Sequence, residues 1–136
     1  MIIRSLISDD LQAATVLWES AGLTRPWNPP EDDLERALIG PSSTVLGCFH
    51  KQGLIGTVMT GHDGHRGWVY YLSVADRHRR SGVGTRLMAA AEAWLREEGA
   101  VKVQLMVRST NEQVTEFYDR LGYEDADVQV LAKWLR

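Results

Sequence analysis

Apolar and polar positions from Met1 to Ile7 alternate enough to predict a first strand. Ser8-Asp9-Asp10 offers capping side chains, and Leu11, Ala14, Leu17 and Trp18 then recur at helical spacing until Gly22. The stretch Thr24-Arg25-Pro26-Trp27-Asn28-Pro29-Pro30 excludes helix and central strand, because its prolines remove amide donors and fix φ. Glu31 to Leu38 reads as a short second helix with acids in its first turn, where the helix dipole favours them. Gly40-Pro41-Ser42 breaks it. Thr44 to His50 and Leu54 to Thr60 read as strands joined at Lys51-Gln52-Gly53, a hairpin signal. Gly61 to Gly67 is a glycine-punctuated turn, and Trp68 to Val74 is strongly β-prone.

From Gly82 to Glu98 the period changes to that of a helix. Val83, Leu87, Ala90, Ala91, Trp94 and Leu95 fall on one stripe, and Gly99 closes it. Val101 to Val107 predicts a strand, Asn111 to Leu121 a helix stopped by Gly122, and Val128 to Leu135 a last strand. The predicted order gives a mixed sheet with helices on its faces. Trp18, Trp94 and Trp134 lie in apolar patterns and are expected in the core, and Cys48 is expected as a small buried hydrophobe.

Composition narrows the function classes. At 136 residues the chain is expected to be one domain, 1–136. Its formal net charge of −3 argues against a general nucleic-acid or anionic-membrane binder. The single cysteine precludes an internal disulfide, and without a CxxC pair a zinc site lacks its usual ligands, so no metal is expected. No apolar run approaches the roughly 20 residues of a membrane span, and the start Met1-Ile2-Ile3-Arg4-Ser5 lacks the layout of a secretion signal. A cytoplasmic protein is the expectation.

Against that acidic balance, one segment is locally basic: Leu72-Ser73-Val74-Ala75-Asp76-Arg77-His78-Arg79-Arg80-Ser81-Gly82-Val83-Gly84-Thr85, with Arg86 next. A strand ends, an arginine-rich loop follows, and a helix begins on two glycines. Helix starts carry unpaired N–H groups and partial positive charge, and glycines let backbone close around a phosphate. By itself this is equally a solvated basic turn. A P-loop string is absent, and Gly82-Val83-Gly84 is followed by Leu87 where a dinucleotide fingerprint needs glycine.

Arg79-x-x-Gly82-x-Gly84 directly after a strand resembles the acyl-CoA signature [QR]-x-x-G-x-[GA] of the GNAT N-acetyltransferases. About 30 residues on, Asn111-Glu112-Gln113-Val114-Thr115-Glu116-Phe117-Tyr118-Asp119-Arg120-Leu121-Gly122-Tyr123 is similar to that family's N-x-x-A-x-x-[LF]-Y-x-x-x-G-[FY], with Val114 in place of alanine. The resemblance spans essentially the whole chain and is closest to small bacterial single-domain members. It implies an α/β GNAT fold: six or seven strands in a mixed, mostly antiparallel sheet, about four helices, and a cleft where the fourth and fifth strands splay. It implies acetyl-CoA as co-substrate, an amine acceptor, and a monomer or homodimer.

Residue by residue, the resemblance assigns Tyr118 as general acid toward the departing thiolate and the Leu72 amide to polarising the thioester carbonyl. Ser73 and Val74 fall to the pantetheine arm. Arg79, Arg80, Ser81, Gly82, Val83, Gly84 and Thr85 fall to the pyrophosphate, with Asn111 contacting the cofactor, capping its helix, or both. Without the resemblance, helical spacing favours Tyr118 as a core tyrosine beside Phe117. A second class stays open, a CoA-sensing module without turnover, as does an acyl group other than acetyl.

The acceptor must attack as a neutral amine. A lysine-like amine lies about 3.4 units above neutrality, costing about 4.6 kcal/mol to deprotonate, whereas an α-amino group costs only about 1 kcal/mol. The glutamate that often begins the family's fourth strand is missing from Gly67-Trp68-Val69-Tyr70. Either a low-pKa amine is served by ordered water, or Asp63 or His65 takes the proton, unless Gly61 to Gly67 is simply a surface turn. Trp27 and Tyr71 are the remaining acceptor-side candidates, Trp27 alternatively anchoring its loop on the core. Glu31, Asp32 and Asp33 either draw a cationic acceptor or serve only their helix.

Overall fold

Five strands and four helices form along residues 1–135, which the computed structural model describes. The chain divides into two units, Met1–Met106 and the segment from Val107 onward. In the first, β1 (Ile2–Ser5), β2 (Ser43–His50), β3 (Gly53–His62), β4 (Gly67–Val74) and β5 (Val103–Leu105) lie across one sheet in sequence order. The first three pairings are antiparallel, and short turns join β2 to β3 and β3 to β4, as that pairing allows. The β4–β5 pair is parallel, so it needs a crossover, and the helix α3 (Val83–Glu97) supplies it.

Strand alternation sorts the side chains between two faces. Val45, on one face of β2, joins Leu6, Ala14, Trp18, Leu34 and Ala37 in a core beneath α1 (Leu11–Ser20) and α2 (Pro30–Ile39). Cys48 lies on the opposite face, opposite Gly56 of β3. There the helix α3 packs so closely that a Cβ on Gly56 would stand 2.9 Å from a Leu87 methyl and 3.0 Å from one of Val83. Cys48 is fully buried, as its position in a strand predicts.

In the second unit, α4 (Glu112–Arg120) is capped by Asn111, whose Oδ1 accepts the Val114 N–H at 3.3 Å. Gly122, at φ +91°, ends it in the left-handed conformation that glycine adopts without strain. The helix boundaries thus follow their caps.

Two expectations need correction. The sheet has five strands rather than six or seven, because Val128 to Leu135 pairs with no strand among the described residues. Its apolar residues fall on no single face: Val128, Val130, Leu131 and Leu135 are all exposed, so a period of two has nothing to bury. Trp134, expected in the core, is 62% exposed. Trp18 is fully buried and Trp94 half-buried.

Candidate active site

The pairing of β4 with β5 stops at Val69↔Leu105, so Tyr70 to Val74 continue on that side without a strand partner among the described residues. On the other side, two β4 residues, Tyr71 and Leu72, stand against Val58 alone, between the pairs Met59↔Tyr70 and Thr57↔Ser73. This is a bulge, and Tyr71 pivots it at φ +54°, a left-handed conformation that costs a non-glycine residue about 1–2 kcal/mol. The strand regains register at Val74↔Gly56, and Ala75 donates its N–H to Ile55 O at 2.8 Å. Ser73 is buried, and its hydroxyl has no hydrogen-bond partner among the described residues.

Beyond Val74, one turn of 3₁₀ helix, Asp76–His78, leads into the basic loop. Arg79 turns back, donating from Nε to Val74 O at 3.4 Å and pairing with Asp76 at 3.2 Å. The Ser81 hydroxyl donates to His78 O. Arg80 (φ +62°) and Gly82 (φ +86°) are both left-handed, and α3 starts immediately after them. Among the described residues no side chain caps α3; its first internal bond runs from the Arg86 N–H to Gly82 O at 3.0 Å. The N–H groups of Val83, Gly84 and Thr85 precede that bond and lack intrahelical acceptors. This end has the polarity and the free donors of an anion site.

On the α1–α2 face lies a groove of about 400 Å³, with Asp33, Arg36, Thr60, Tyr70 and Tyr71 in its lining. The Tyr71 hydroxyl donates to Asp33 Oδ2 at 2.6 Å, the Asn28 side-chain amide to the same oxygen at 2.8 Å, and Arg36 pairs with Oδ1 at 2.5 Å. Burial first, and then the Asp33 bond, raise the Tyr71 hydroxyl well above the usual tyrosine range. The Tyr71 ring stacks on Trp18, centroids 4.0 Å apart and planes 10° off parallel.

Asp63 closes the β3–β4 turn. It accepts the N–H groups of Arg66 at 2.7 Å and His65 at 2.8 Å, and the Trp68 indole N–H at 3.1 Å. Those backbone bonds hold its carboxyl down at about 2. Trp27 sits in the tight turn closed by the Asn28 N–H to Arg25 O bond and is 56% exposed. Within the second unit, Tyr118 is buried and packs edge-on against Phe117 and Tyr123, with its hydroxyl pushed up to about 12 by burial.

A sequence profile described as the acetyltransferase (GNAT) family matches residues 10–123. This chain belongs to that family. Among solved structures, AAC(6')-Iy in complex with the bisubstrate analogue CoA-S-monomethyl-acetylneamine matches with a TM-score of 0.86 at 16% identity, over 98% of this chain and 97% of that one. The aminoglycoside 6'-N-acetyltransferase AAC(6')-IG from Acinetobacter haemolyticus gives 0.78 at 18% identity, over all of both chains. A ribosomal-protein-alanine N-acetyltransferase from Brucella melitensis biovar Abortus 2308 gives 0.78 at 19%, over 98% of this chain and 100% of that one. At such identities these likenesses speak for the fold.

For a GNAT chain, the structure sorts the candidate residues into separate groups. Leu72, Ser73 and Val74 form one continuous backbone path with Arg79 to Thr85. Tyr71 lines the groove beside Asp33 and Arg36, whereas Trp27, Asp63 and His65 do not. Tyr118 lies on α4, which Asn111 caps. Two features escaped the sequence. The bond from Tyr71 to Asp33 joins residues 38 apart, which no local pattern encodes. Thr57, fully buried within an apolar strand, was legible only as a polar residue in an unexpected place.

Proposed function

We propose that this GNAT protein transfers an acetyl group from acetyl-CoA directly to a primary amine, with both bound at once. The observation that carries the reading is the backbone path from the β4 bulge through Arg80 and Gly82 to the uncapped start of α3. Its free N–H groups and dipole suit a diphosphate, and the unpaired length of β4 suits an extended amide-bearing arm. When bound, acetyl-CoA supplies a thioester with a thiolate leaving group.

In this reading the Leu72 N–H meets the charge that develops on the carbonyl oxygen, and the Val74 backbone holds the arm. The amine nitrogen forms its bond to the carbonyl carbon as the carbon–sulfur bond breaks. The amine gives up a proton, and sulfur takes one. Tyr118 supports this last step by the family resemblance; with its hydroxyl raised to about 12, it keeps a proton to offer throughout the physiological range. Asn111 holds α4 in place through its cap. Asp63, ionised down to about 2 and committed to its turn, is no base at neutral pH. An ordered water relaying the proton of a low-pKa amine fits better. Glu31 and Asp32 at the start of α2 favour a cationic acceptor, whereas the charge of Asp33 is already met by Arg36.

Calorimetry with CoA and a free-thiol assay over amines and N-terminal peptides test this. The expected result is CoA binding, amine-dependent thiol release, and a kcat about a hundredfold lower in Tyr118→Phe with CoA affinity unchanged. Tight CoA binding with no amine exceeding background hydrolysis would make the protein a CoA-sensing module instead. Longer acyl-CoA donors in the same assay decide the acyl group.

A further inference from the structure

We propose that Thr57, set by Trp18, is a positioning residue that aims the Leu72 amide at the carbonyl it polarises; this rests on the reading of Leu72 given above. The peptide unit that carries the Leu72 N–H is the one that carries the Tyr71 carbonyl. In a trans peptide these two groups point in opposite directions, so fixing one fixes the other. Tyr71 and Leu72 lie outside the β3 register, so the ladder does not orient this peptide by ordinary pairing.

A buried side-chain relay does. The Trp18 indole N–H donates to Thr57 Oγ1 at 2.8 Å, and Thr57 Oγ1 donates to Tyr71 O at 3.2 Å. The order of donation is forced: an indole nitrogen only donates, so the Thr57 oxygen accepts there and has its own proton free for Tyr71. Trp18 and Thr57 are both fully buried, so no water competes for the bond between them, and the bond to Tyr71 O is half-buried. With its carbonyl drawn toward Thr57, the Tyr71–Leu72 peptide directs the Leu72 N–H away from Thr57, at the level of β4 where pairing with β5 has ended. Two side-chain contacts hold the left-handed Tyr71 in this pose: the ring stacked on Trp18 and the hydroxyl bonded to Asp33. Each hydrogen bond in such a chain polarises the next, which makes the Leu72 N–H a better donor.

Thr57→Val removes the hydroxyl and keeps the volume and the β-branch; Trp18→Phe removes the N–H and keeps an aromatic ring; Thr57→Ser restores the hydroxyl. The two readouts are steady-state kinetics and the infrared carbonyl stretch of bound acetyl-CoA carrying carbon-13 in its carbonyl. Wild type is expected to shift that stretch below its free position. Thr57→Val and Trp18→Phe, each checked for a cooperative melt, are expected to move it back toward free. They should also lower kcat about tenfold, less than outright loss of an oxyanion donor, with KM and CoA affinity unchanged. Thr57→Ser should recover both. A folded Thr57→Val or Trp18→Phe with the wild-type stretch and kcat would overturn the inference while leaving the acetyltransferase reading intact. An unshifted carbonyl in wild type, despite CoA binding, would instead remove the role of Leu72 and the inference with it.

Discussion

Single residues here do work that their type alone does not announce. Asp63 is fully exposed, yet two backbone N–H groups and an indole converge on it, and they bind the carboxylate better than the acid. Its carboxyl falls from 3.8 to about 2 on folding. A depressed acid stabilises the fold above its unfolded value and loses that contribution as pH falls through the folded one. Asp63→Asn is therefore expected to melt below wild type at neutral pH, with the difference closing as pH drops from about 4 toward about 2. Thermal melts across that range check it; a difference that persists at low pH would mean the charge is not what holds the turn. The glycine-punctuated turn was legible in Gly61 to Gly67. Its commitment to local amides depended on how the backbone folds around one carboxylate.

At the scale of elements, periods and breakers gave the helices and the first four strands, and the turn chemistry only partly. The β2–β3 hairpin follows from its flanking strands, but its loop is the two residues Lys51 and Gln52, with φ of +50° and +69°. Two left-handed residues in succession make a mirror-image turn that suits an Asn-Gly pair, and here neither residue favours it. Combining Lys51→Asn with Gln52→Gly is expected to add about 1 kcal/mol, raising the melting temperature by a few degrees. Unchanged melting would show that the turn carries little strain. The bulge in β4 was not legible. Tyr70-Tyr71-Leu72 alternates no differently from an unbroken strand, and the left-handed Tyr71 is held by Trp18, Asp33 and Thr57, which come from three other elements.

Across the whole molecule, an acidic chain of net charge −3 gathers Arg77, Arg79, Arg80 and Arg86 around one loop. Exposed charges act through solvent and are screened, whereas N–H groups fixed in the backbone are less so. CoA affinity is thus expected to fall several-fold between about 50 mM and about 0.5 M salt without vanishing. Calorimetry at both strengths checks it, and a salt-independent affinity would mean that the arginines take no part. The sequence by itself determined the helices, the first four strands and the basic loop, because periodicity, capping residues and glycine spacing act over a few neighbouring positions, and its two motifs carried the resemblance to the family. It could not determine that Val128 to Leu135 forms no strand among the described residues, since a strand exists only through its partner. Nor could it determine which way the Leu72 amide points. That direction depends on a carbonyl, a threonine and a tryptophan that only the packed core brings within hydrogen-bonding distance.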